Sequence, residues 1–317
     1  MQFYSCLRMS KLPRFSGELR KSQTSTRCVV GNEWEIIRPI GLKVMKKITI
    51  FCFNRRILMN IQVLVSTLNQ TDYSLLEQMN IKTDAIVINQ CDKDRVDNFE
   101  YNDRRIRWYS FAERGVGLSR NNALMRADAD IVLFADDDMV FVDNYEKVVK
   151  EAFEKLADAD IIIFDLKYPD NSRKQIRKIE KLSAKKCMRF GAARISAKLS
   201  SLRIHGICFN LCFGGGARFS SGEDSLFLME CIRKGLKIYS YPVIIAELID
   251  RESTWFTGYN DKYFFDKGVL FSLLYPRLCY AYAIIHCIKQ NKRYSKYGVM
   301  NAYKQIKKGI RFRKRCL

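Results

Sequence analysis

The sequence predicts an α/β fold: a mainly parallel sheet flanked by helices, followed by a basic, helical C-terminal extension. Three observations carry this expectation. Strand-like apolar runs alternate with helix-capable segments from residue 59 onward, the runs are continuous, and turn or cap residues separate them. A continuous apolar run marks a strand covered on both faces, as parallel strands are.

Residues 60–67 (NIQVLVST) read as a buried strand, 74–79 as a helical segment, 84–89 (DAIVIN) as a second strand and 106–111 as a short third one. Gly115 and Gly117 lead into a helix with Leu118, Asn122 and Met125 at helical spacing, and 130–135 (DIVLFA) is another apolar strand. A helix at 145–156, a strand at 160–166 and a helix at 173–184 are expected next. The amphipathic run 223–234 ends at Gly235, as a helix with a glycine C-cap does.

Composition narrows the partners. Of 317 residues 48% are hydrophobic, enough for one large domain, and the formal net charge of +21 calls for an anionic partner. Residues 1–58 hold twelve basic and three acidic side chains, 167–203 twelve and two, and 289–317 eleven and none. Three segments follow: a leader at 1–58, disordered or upstream of the true start; a patterned domain at 59–265; and an amphipathic, basic segment at 266–317.

Eleven cysteines at irregular spacings, with no CxxC pair, read as free thiols in a reducing cytoplasm. Cys208 and Cys212 lack the second pair that zinc would need, and His205 and His286 lack catalytic partners at a recognisable spacing, so both read as packing residues. Residues 268–288 form the most apolar segment, but Pro276 and Arg277 break it, so it is read as interfacial or packed and not as spanning. Residues 45–53 imitate a signal peptide, yet Asn54, Arg55 and Arg56 end the run early and no cleavage site follows, which argues against secretion.

Two acidic groups stand where chemistry is expected. Asp136, Asp137 and Asp138 directly follow an apolar strand, and in open α/β sheets ligands bind beyond the carboxyl ends of strands. Three adjacent carboxylates are hard oxygen ligands that suit Mg2+ or Mn2+ shared with substrate phosphates. A solvated turn with an N-cap is the plainer alternative. At 213–227 (FGGGARFSSGEDSLF), Gly214, Gly215 and Gly216 let backbone approach a ligand closely, while Glu223 and Asp224 open a helix; dipole complementation alone would also place acids there.

Four ordered motifs over residues 59–265 resemble the family 2 glycosyltransferases of GT-A fold, particularly those of capsule and lipopolysaccharide clusters. VLVSTLN at 63–69 resembles their nucleotide-holding strand and loop, which implies donor contacts from Ser66, Thr67 and Asn69. GLSRNNALMRADADIVLFADDDM at 117–139 resembles their most recognisable block. It implies Arg120 and Asn121 beside the nucleotide diphosphate, Asp136 and Asp137 on the donor, and Asp136 with Asp138 as the ends of a DxD motif, Asp138 being the favoured metal ligand. GED at 222–224 resembles the acidic helix start, implying Asp224 as general base and Glu223 as an acceptor contact; RESTW at 251–255 resembles a rim element.

The chain departs from the family where an Asp-Asp-Gly-Ser run usually reads the base: here stand Asn89, Gln90, Cys91 and Asp92, and Asp92 joins the donor-binding set. No His precedes RESTW, and no QxxRW signature of processive synthases is present. The resemblance implies transfer from a nucleotide-diphosphate sugar to a glycan acceptor, dependent on Mg2+ or Mn2+; a single displacement with Asp224 as base makes inversion the expectation, and the basic tail points to a lipid-linked glycan acceptor. The basic tail after residue 288, with Phe271, Leu273, Leu274, Tyr275, Tyr280 and Tyr282 upstream, suggests peripheral attachment to the anionic inner face of the cell membrane. A sugar nucleotidyltransferase would need a Gly-rich basic loop that VSTLNQTD lacks. A nucleic-acid-binding protein would leave the carboxylates unexplained, so nucleic acid is not the expected partner.

Overall fold

The computed structural model describes residues 59–169, 175–249 and 258–316. The expected leader at 1–58 and the RESTW motif lie outside them. β1 (Ile61–Leu68) forms the middle of the sheet, and α1 (Leu75–Gln78) follows it. Next come β2 (Asp84–Gln90) and a hairpin of β3 (Arg95–Tyr101) and β4 (Arg104–Phe111), turned on Asn102 and Asp103 with φ of 49° and 58°. α2 (Val116–Arg126), β5 (Ile131–Asp136), β6 (Met139–Phe141), α3 (Tyr145–Lys155) and β7 (Ile161–Lys167) complete the first half. The second half runs β8 (Glu180–Lys181), α4 (Ala184–Cys187), β9 (Ile195–Lys198), α5 (Leu199–Ile204), α6 (Glu223–Arg233) and β10 (Ile238–Leu248). Four helices end it: α7 (Asp261–Leu274), α8 (Cys279–Lys289), α9 (Asn291–Tyr294) and α10 (Val299–Cys316).

The strands form one mixed sheet in the order β3-β4-β2-β1-β5-β9-β7-β10-β6, with β8 also on β10. Its heart, β4-β2-β1-β5, is parallel, as is β7 with β10; the hairpin partner β3, the inserted β9 and the short β6 and β8 run antiparallel. The continuous apolar strands have the cause assigned to them. Ile61, Val63 and Val65 face a core built with α1 and α3, while Leu64 faces a second core built with α2, α5 and α6. The β1–β5 register sets Ser66 beside Asp136, so the acid run emerges at the carboxyl end of the parallel strands.

The helix expected at 173–184 is not formed by its described residues. Glu180 and Lys181 pair with Ser240 and Tyr239 as β8, Leu182 N–H donates to Ile238 O, and Ile176 N–H donates to buried Asp165 Oδ2. Pairing to the sheet and to a buried carboxylate outweighs local helix propensity here. Of the residues expected at a membrane face, Phe271 and Leu274 are buried, and Tyr282 stacks on Tyr275 at 4.2 Å. Among the described residues no helix is long and apolar enough to cross a membrane.

α7 and α10 cross with backbone touching backbone. A Cβ on Gly268 would lie 2.0 Å from Ile306 O, and one on Gly309 2.0 Å from Phe265 O. Neither backbone carbonyl can give way as a flexible side chain would. Gly268→Ala or Gly309→Ala should therefore destabilise the fold by about 1–3 kcal/mol; a thermal midpoint unchanged from the parent would show that these helices do not pack this closely.

Candidate functional site

Arg120 joins the two acidic groups. It projects from α2, is 3% exposed, and extends its guanidinium to three carboxylates. Nη2 donates to Asp136 Oδ1 at 2.7 Å, while Nη1 donates to Asp224 Oδ1 at 2.9 Å and to Glu223 Oε1 at 3.2 Å. The ring of Phe209 lies 5.4 Å from the guanidinium carbon. Burial alone would lower the pKa of Arg120, but Asp136, Asp224 and Glu223 together reverse this and push it up.

One guanidinium cannot balance three carboxylates, and Asp224 registers the excess. Its enclosure raises its pKa and Arg120 opposes the rise, but Glu223 and Asp136 add to it, so the carboxyl is pushed up to about 7. Ala192 N–H also bonds to it, and a Cβ on Gly191 would stand 3.3 Å from Asp224 Oδ2, so the loop before β9 walls that side. Lys267 of α7 lies within electrostatic reach of Glu223; burial lowers its pKa against the opposing pull of Glu223 and Asp266.

The glycine run passes close to the acidic helix start. Gly214, at φ +106°, passes so close that a Cβ would lie 2.9 Å from the carboxyl carbon of Glu223 and 2.6 Å from Val116 Cγ1. Gly215 O accepts from Val116 N–H at the start of α2. The loop thus presses Glu223 against Arg120.

The other residues expected at the site divide into two groups. Thr67 Oγ1 donates to Asp137 Oδ2 at 2.6 Å, and Ser119 Oγ donates to Ser66 Oγ at 2.9 Å beneath the strand ends. Asp137 and Asp138 form the turn into β6, where Asp138 O accepts from Ile249 N–H. Asn69 and Asp92 stand further out, both bonded by Arg114, on the wall of a cavity of about 550 Å3 that Tyr73, Arg95 and Trp108 also line. Asn121 turns elsewhere: its amide donates to Phe209 O and accepts from Phe209 N–H, fixing that loop beneath Arg120. His205 and His286 stay away from the acids, on Ser201 O and Tyr294 Oη.

Sequence reasoning missed three contributors. Gln90 ties Gly115 N–H to Thr67 O, Phe209 stacks on Arg120, and Lys267 joins from a helix assigned to the tail. All three act across long sequence separations and carry no local signature.

The donor set suits a hard divalent cation. Asp136 and Asp138 bracket the strand end, and the local carboxylates outnumber the cation that pairs with them. Among the described residues no three or more His, Cys, Asp or Glu side chains form a ready-made cage.

Residues 48–213 match the family described as Glycosyl transferase family 2, and this chain belongs to that family. Comparison with curated protein sequences returns no match. Among solved structures, S. aureus TarS 1-349 in complex with UDP-GlcNAc is similar at TM-score 0.52 and 17% identity, over 68% of this chain and 66% of that one. The same TarS segment with UDP gives 0.50 and 16%, over 68% and 65%. TarS without that truncation gives 0.50 and 16%, with 39% of it covered. The chain thus spans just under two thirds of the shorter TarS structures, and the likeness establishes a shared GT-A-like fold.

The raised pKa of Asp224 has a thermodynamic consequence. Its folded-state value lies above the unfolded one, so the group adds stability below about 4 and loses it as pH rises through about 7. Asp224→Asn should therefore gain stability relative to the parent across that interval, measured by urea midpoints on both sides of it. A constant difference between the two proteins would mean that Asp224 ionises as an ordinary carboxyl.

Proposed function

We propose that the chain is an inverting glycosyltransferase that takes a sugar from a nucleotide-diphosphate donor and places it on a glycan acceptor carried by a lipid, in surface polysaccharide synthesis on the cytoplasmic side of the membrane. The observation that carries this reading is the Arg120 bridge. It holds a strand-end carboxylate and a helix-start carboxylate on one guanidinium, which supports assigning the two acidic groups to one site. The UDP-GlcNAc bound by TarS 1-349 supports a UDP-sugar as the first donor to try.

In the proposed step Asp224 accepts the proton of an acceptor hydroxyl while that oxygen bonds to the anomeric carbon. The bond from anomeric carbon to phosphate oxygen breaks on the opposite face, and the nucleoside diphosphate leaves with the electron pair. A carboxyl raised toward neutrality is a stronger base than an ordinary one and still ionises at cellular pH. Glu223, held by Arg120 and by Gly222 N–H, stands beside it and orients the acceptor. Ser66, Thr67, Asn69 and Asp92 place the nucleotide, and Asn121 supports the loop beneath the diphosphate.

Asp138, with Asp136, would hold Mg2+ or Mn2+, whose charge would stabilise the departing diphosphate. Arg120 is already paired with three carboxylates, so its charge is not available to do this alone.

The test is turnover of a panel of nucleotide sugars with Mg2+, Mn2+ or chelator. One donor should turn over with metal only, and Asp224→Asn and Asp138→Ala should each lower the rate by about 100-fold or more. Variants as active as the parent would refute this site, and a product keeping the donor's anomeric configuration would refute inversion.

A further inference from the structure

α8 is apolar on both of its faces. Cys279, Ala283 and Cys287 pack inward in a core shared with α7 and α10. On the opposite side Ile284, Ile285 and Ile288 are 46%, 49% and 63% exposed, and Leu278, just ahead of the helix, is 67% exposed. Ala281 completes that outer row. A surface helix ordinarily carries charge where this one carries isoleucine, so a helix apolar all round implies a second apolar environment.

The charges around the row indicate which environment that is. Exposed Arg277 precedes the helix, and exposed Lys289, Lys292 and Arg293 follow it. After Asp266 the sequence holds thirteen Lys and Arg and neither Asp nor Glu. The N-terminal end of the row opens into a cavity of about 810 Å3 walled by Arg233, Arg277 and Arg313 beside Leu273, Tyr275 and Leu278; Glu230 is its one acid among the described residues. Among the described residues, Nε of Arg313 is buried without a hydrogen-bond partner.

We propose that α8 lies in the headgroup plane of an anionic phospholipid leaflet, with its three exposed isoleucines at the acyl boundary and the arginine cavity facing headgroup phosphates. Charge favours this occupant over two others. A second copy would set Arg277, Lys289, Lys292 and Arg293 against their own kind, and residues 1–58, with twelve basic and three acidic side chains, are cationic as well. An anionic leaflet complements both the apolar row and its cationic border.

The proposal goes beyond the glycosyl-transfer reading, and its readout is binding, so either can fail alone. Full-length protein is floated with vesicles of phosphatidylglycerol and phosphatidylcholine in equal parts, and with phosphatidylcholine alone. The parent should float with the first, and Ile284→Ser/Ile285→Ser/Ile288→Ser should bind about tenfold or more weakly. Arg277→Glu/Lys289→Glu should weaken binding to the anionic vesicles, and circular dichroism should be unchanged in both variants because all five side chains are exposed. A triple variant that floats like the parent would overturn the proposal. So would a parent that ignores both vesicles, or one that forms a dimer through these isoleucines without binding lipid.

Discussion

Arg120 is the cation toward which three carboxylates turn, from positions 16, 103 and 104 residues along the chain. Each would be costly to enclose without a positive partner, and the guanidinium would be costly to bury without them. The arrangement therefore constrains the structure around it. α2 must present Arg120 beneath the strand ends, the glycine loop must pass tightly over Glu223, and α6 must begin with its acids pointing back at the sheet. Because one positive charge faces three negative ones, the balance is left open to a proton on Asp224 or to a bound cation. Either would place acid–base or phosphate chemistry at this point.

The C-terminal helices are part of the same construction. Gly222 leaves room for Leu270, whose side chain would stand 2.6 Å from a Cβ there; Asp266 accepts from Ser220 N–H, and Lys267 lies near Glu223. α7 therefore buttresses the helix start that carries the acids, and its residues Asp261–Leu274 cross the expected boundary at 265. The glycine crossing with α10 then ties the basic end of the chain to that buttress.

What could be read from the sequence follows what burial writes into it. β1, β2, β5 and β7 are enclosed on both faces, so their runs are continuously apolar and were legible, as was α6 with its closing Gly235. β3 escaped notice because it is a largely exposed edge strand with residues such as Arg95, Asp97 and Glu100, and its Asn102-Asp103 turn lacks a glycine. β9 is four residues long and takes its identity from neighbours on both sides. Asp136, Asp138, Glu223 and Asp224 were legible because acids at a strand end or helix start are conspicuous. Asn121 was legible as a motif member, but its pairing with Phe209 depends on residues 88 positions away. Gly214 signalled a close approach and left its partner, Glu223, unspecified.

The account stands on Arg120 and Asp224 acting as one unit, and a double-mutant cycle of Arg120→Met and Asp224→Asn, scored by urea unfolding, measures that directly. Removing the cation leaves an uncompensated carboxylate that the second change neutralises, so the double variant should be more stable than the sum of the singles predicts, by about 1 kcal/mol or more. Additivity within about 0.5 kcal/mol would contradict the account, because the two side chains would then not share the charge on which the site is built.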